Sequence, residues 1–214
     1  MELLDEDVTL SRSFSQALTT PVQDEGKQIL AEILEAGLDT VIEDDFLCNI
    51  PFLSIAISLV KMHSNLERWF MLKKLANFID QINDDISEDE RTEYIEKFNQ
   101  QSRKDRDREL EHLLIIINRY ITEEQPRYLA KVYLSFLQGD ISFSDLVLFS
   151  KMIDVLLPND IFVLIYDALP RNHGNLMNYS DYIGRLRIHG LIEANSTDLS
   201  SLGQALKTIL QGSG

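Results

Sequence analysis

The sequence predicts an all-α protein, an antiparallel array of about nine helices with short connections that ends in a small unit carrying a short β-hairpin. Three observations predict this class. Helix-start signatures recur along the 214 residues, glycine and proline fall mostly between segments of helical periodicity, and no segment alternates apolar and polar residues long enough for a central sheet. A chain of this length can bury a core without staples, as one large domain or two small ones.

The elements follow in order. Thr20-Pro21-Val22-Gln23 supplies an N-cap hydroxyl, a proline at the first helical position and a glutamine at the third. Each of these pairs an orphan backbone donor or avoids having one. A helix from Pro21 to about Ala36 carries Ile29, Leu30, Ile33 and Leu34 on one face, and Gly37 ends it. Ser87-Glu-Asp-Glu90 is a capping box that opens a helix bearing Tyr94, Ile95 and Phe98. The polar run Gln100–Glu109 reads as a hinge or a solvated helix junction, and a helix from about Asp105 to Ile121 carries Leu110, Leu113, Leu114 and Ile117. Thr122-Glu-Glu-Gln125 precedes a helix over Tyr128–Leu137 with Gly139 as its stop. Ser142-Phe-Ser-Asp145 precedes one over Phe143–Leu157, closed by Pro158. Asn159-Asp160 caps a short helix to about Leu169, which Pro170 ends. On this reading residues 1–19 form an acidic arm, 20–170 the helical body, 171–211 the C-terminal unit and 212–214 a linker remnant.

Charge narrows the function classes. The formal net charge is −15, and residues 1–170 hold 16 Lys/Arg against 32 Asp/Glu, whereas 171–214 hold 4 against 3. An acidic body repels phosphate backbones, which confines any nucleic-acid role to the near-neutral end. The lone cysteine, Cys48, sits beside an apolar run and points to a buried thiol in a reducing compartment. The start, MELLDEDV, lacks the basic and apolar regions of a signal peptide, so a cytoplasmic location is expected, with a peripheral place on the inner face of the membrane as an option.

The segment from Asn49 to Asp80 begins as if entering a bilayer. Phe46–Val60 is fifteen residues without a charge, short of the roughly 20 that a spanning helix needs. Phe52–Val60 is apolar on nearly every side and suits a helix surrounded by others. Beyond it, Leu66, Trp69, Phe70, Leu72, Leu75, Phe78 and Ile79 form one stripe, flanked by Lys61, Arg68, Lys73 and Lys74. Such a helix can pack in the core with its bases balancing carboxylates such as those at 43–45 and 84–85. It can also dock on a protein partner, or lie on an anionic membrane surface through Lys61, Arg68, Trp69, Phe70, Lys73 and Lys74.

Catalytic signatures are missing from the sequence: no His-Glu-x-x-His, paired-cysteine zinc motif, glycine-rich phosphate loop or Gly-x-Ser-x-Gly. Glu109 and His112 have the i, i+3 spacing of half a di-iron carboxylate site, but no second half exists. No enzyme activity, cofactor or metal is therefore expected.

At the C-terminal end a helix capped by Asn178 or Ser180 carries Ile183, Leu186 and Ile188 and stops at Gly190. Leu191–Ala194 and Asp198–Ser200 then flank a polar tip at Asn195-Ser196-Thr197, before a closing helix. This order resembles a winged helix, and the resemblance implies a recognition helix presenting Arg185, Arg187 and His189 to nucleic acid or to a protein partner. The near-neutral local charge favours packing or protein docking over DNA.

Five segments in their order, IPFLSIAISLV with MLKKLANFIDQI, ISEDERTEYIEKF, YLAKVYLSFLQGDISFSDLVLFSKMI and LRIHGLIEANSTDLSSLGQAL, make the chain similar to the Abi-alpha type of all-helical bacterial proteins from about Ile50 to Leu206. That resemblance implies a role in phage abortive infection and no catalytic residues. The first fifty residues, with 12 acids against 2 bases, fall outside it. The expectation is a non-enzymatic helical interaction protein that binds a protein partner or a membrane surface. The alternatives are a DNA-binding regulator using Arg185 and Arg187, and an acidic decoy of a nucleic-acid-binding surface.

Overall fold

The computed structural model describes residues 65–87, 102–167 and 179–212, together with 89, 90, 92, 93, 96 and 100. The helix expected over Pro21–Ala36, the run Phe46–Val60, Cys48, the face of Tyr94, Ile95 and Phe98, and the stop at Leu169-Pro170 lie outside the described residues. Within them the protein is all-α. Seven helices are delimited: α1 (Asn65–Asp85), α2 (Arg103–Arg119), α3 (Gln125–Gln138), α4 (Phe143–Val155), α5 (Pro158–Tyr166), α6 (Tyr179–Ile188) and α7 (Ser201–Gln211). The expected hairpin amounts, among the described residues, to one antiparallel bridge between Ile192 and Leu199. The chain divides into two compact units, Met1–Ala130 and Lys131–Gly214, with the division inside α3.

In the first unit α1 packs on α2. Leu75, Phe78 and Ile79 of α1 and Leu113 and Ile117 of α2 are buried completely or nearly so, as their helical spacing requires. The box at Ser87 forms: the Ser87 N–H donates to Glu90 Oε2 at 2.8 Å, and the Glu90 N–H donates to Ser87 Oγ at 3.3 Å. The polar run before Glu109 is the start of α2 and not a hinge, and it moves that start from the expected Asp105 to Arg103. Ser102 is the N-cap. Its Oγ accepts from the Asp105 N–H at 3.2 Å and donates to the Asp105 carboxylate at 2.7 Å. The acid at the third helical position makes the polar run a helix start.

At the α2–α3 turn the Gln125 side chain folds into the interior, where its Oε1 accepts from the Ile121 N–H at 2.9 Å and the Thr122 N–H at 3.0 Å. Replacing Gln125 with alanine strands two amides, so a loss of about 1–3 kcal/mol is expected in urea unfolding. A loss below about 0.5 kcal/mol would show that water reaches them.

In the second unit α3 ends as Gly139 predicts. Gly139 takes φ +86°, its N–H donates to Phe136 O at 3.1 Å, and the Asp140 N–H donates to Ser135 O at 3.0 Å, a paired closure that suits glycine in the left-handed region. Ser142 and Asp145 cap α4 reciprocally, and the Ser142 hydroxyl and N–H hold the Asp145 carboxyl below its ordinary value. Pro158 acts differently from the sequence reading: it opens α5 as its first residue, while α4 has already ended at Val155 with Leu156 as its cap. Proline suits that place because an N–H there would lack an acceptor, and it holds Leu157 extended at φ −74°, ψ 153°. α5 stops at Tyr166, before the expected Leu169, where Asp167 turns left-handed at φ 51°.

α5 packs on both α6 and α7. α6 closes at Gly190 (φ +75°) with the same paired bonds, Gly190 N–H to Arg187 O and Leu191 N–H to Leu186 O, each 2.9 Å. The bridge follows, and Ser200 caps α7 by accepting from the Gly203 N–H at 3.0 Å while donating to Gly190 O at 2.6 Å. One side chain thus ties the start of α7 to the end of α6.

Candidate functional site

Of the residues expected to meet a partner or a membrane, Lys61 lies outside the described residues, and so do the side chains of Arg68 and Trp69. Phe70 is partly exposed, at 39%. Lys73 and Lys74 are buried, which agrees with the reading of this helix as core and corrects their alternative place on a docking face. The Lys74 Nζ donates to Asn118 O at 3.0 Å, meeting one of the carbonyls that the last turn of α2 leaves without a backbone partner. Burial holds this ammonium below the ordinary lysine value. Lys73 Nζ lies 3.9 Å from Glu123 on the α2–α3 turn, and the carboxylates expected at 43–45 lie outside the described residues. Nearby, Arg127 of α3 donates through Nε to Asn77 Oδ1 at 2.7 Å and through Nη2 to Asp80 Oδ2 at 3.0 Å. These cations fasten α1 to α2 and α3.

The C-terminal arginines are committed in the same way. Asp160, buried at the third position of α5, accepts from the Leu157 N–H at 3.1 Å and from Arg185 Nε at 2.9 Å. Arg185 Nη2 reaches Asp160 Oδ1 at 2.5 Å, and its guanidinium lies 4.8 Å from the centre of the Tyr182 ring. The Asp160 hydrogen bond pushes the Arg185 pKa further up, so this cation is permanent. Arg187 donates to Glu193 O at 3.1 Å and Ser196 O at 2.7 Å, bracing the hairpin tip. His189 is half-buried. Arg185 and Arg187, which the winged-helix resemblance implies for nucleic acid or a protein partner, bond within the unit, since fork donors beside a buried carboxylate and turn carbonyls are satisfied there.

A second contact joins the far ends of α5 and α6, where the Tyr179 hydroxyl donates to Asp167. That bond, with burial and the Asp167 charge adding to it, pushes the Tyr179 pKa from 10 up to about 12. The folded state therefore holds the proton more tightly than the unfolded one. The contribution is complete below pH 10 and is lost as pH rises to about 12. Absorbance titration at 295 nm should show one phenol ionising near pH 12 and returning to the ordinary range in Asp167→Asn. An unchanged titration in that variant would refute the assignment.

The sequence reading missed an apolar surface in the second unit. Leu148 and Val155 are 41% and 53% exposed on α4, and their i, i+7 spacing puts them on one face with Lys151 between them. Leu157 is 53% exposed, and Tyr166 is 63% exposed with its ring 4.7 Å from that of Phe162. The signal was available, since α4 and α5 carry more apolar residues than one buried face can take.

Among the described residues, no group of three or more His, Cys, Asp or Glu could hold a metal ion, and Glu109 is buried without forming one. No described helix is long and apolar enough to cross a membrane. In comparisons with known proteins, no family model, no curated protein and no solved structure matches this chain.

Proposed function

We propose that this protein is a non-enzymatic helical interaction protein whose working surface is an apolar docking face. One observation carries the reading: Lys74, Arg185 and Arg187, three of the cations that the sequence offers to a phosphate, lipid or partner, bond within the fold, while Leu148, Val155, Leu157 and Tyr166 stay exposed. Leu148 and Val155 share one face of α4, and a contiguous exposed apolar face is the kind of surface that marks an interaction site. The similarity in segment order to Abi-alpha proteins extends the proposal to phage defence in a bacterial cytoplasm, with a protein partner ahead of a membrane surface. A winged-helix-like C-terminal unit within an array of about nine helices belongs to the same reading. Its support is the sequence of α6, the Gly190 turn, the Ile192–Leu199 bridge and α7.

The test compares the native protein with a variant carrying Leu148→Asp and Val155→Asp. Both positions are exposed, so stability should change by no more than about 0.5 kcal/mol per site. Capture from phage-infected and uninfected bacterial cells should retain a partner on the native protein and lose it on the variant. Co-sedimentation with anionic vesicles that survives in the variant would favour the membrane surface. Nucleotide or nucleic-acid turnover by the purified protein, abolished by a point substitution, would overturn the non-enzymatic reading.

A further inference from the structure

We draw no further inference here: the strongest candidate, the exposed apolar face of α4 and α5 at Leu148, Val155, Leu157 and Tyr166, belongs to the surface already described, and nothing in the structure shows what covers it.

Discussion

Replacing Gly203 with alanine is expected to destabilise the C-terminal unit by about 3 kcal/mol, although alanine is the better helix former by about 1 kcal/mol. The reason is steric. A Cβ at Gly203 would lie 2.0 Å from Leu191 O and 2.9 Å from Leu191 C, both backbone atoms that no rotamer change can move aside. That carbonyl also accepts the Ser200 N–H at 3.0 Å, so pushing it away costs the junction a hydrogen bond as well. Gly184 in α6 is the control, because a Cβ there meets nothing within 4 Å and its φ is not left-handed. Gly184→Ala should gain roughly 0.5–1 kcal/mol. Urea unfolding of both variants checks the pair of signs. Equal stabilisation by the two substitutions would show that α7 does not press on Leu191.

The second large effect is expected at Arg185. Removing it as Arg185→Ala leaves Asp160 buried with only the Leu157 N–H as its remaining partner here, and breaking such a pair costs about 3–5 kcal/mol. Arg185→Lys keeps the charge but loses the planar fork and its stacking on Tyr182, so it should recover only part of the loss. A cycle with Asp160→Asn separates the pair from the cap, and the two substitutions should couple by more than about 1 kcal/mol. If Arg185→Ala changes stability by less than about 0.5 kcal/mol, the arginine is a solvent-screened surface cation. It would then be available to an external phosphate, and DNA binding with a steep salt dependence would become the reading to pursue.

The buried lysines change how the α1 segment can be probed. Neutralising Lys73 and Lys74 together with the aromatic residues beside them removes a carbonyl cap from α2 and a neighbour of Glu123. Lost vesicle binding in such a variant would report unfolding as readily as lost lipid contact. Phe70 is the residue of that stretch whose exposure allows a cleaner substitution.

Local chemistry made much of the fold legible. The boxes at Ser87, Thr122 and Ser142 and the stops at Gly139 and Gly190 depend on residues three to five positions apart, and each forms where its sequence places it. The same kind of logic, followed one step further, would have found Ser102 with Asp105 and moved the start of α2 back to Arg103. Pro158 shows the limit of local reading. A proline can follow one helix or open the next, and the capping carboxylate of Asp160 decided for the second.

By itself the sequence determined the helical class and the positions of several caps and glycine stops among the described residues, because caps, periodicity and glycine stops are short-range interactions. Tertiary structure alone decided which charges remain free. Lys74 and Asn118 are 44 positions apart and Arg185 and Asp160 are 25, so neither pairing leaves a local trace. A basic amphipathic stripe and an arginine-bearing helix look open to ligands in sequence. Packing turned both inward, because a carbonyl at a helix end and a buried carboxylate each need a cation, and the same packing left Leu148, Val155 and Leu157 outside.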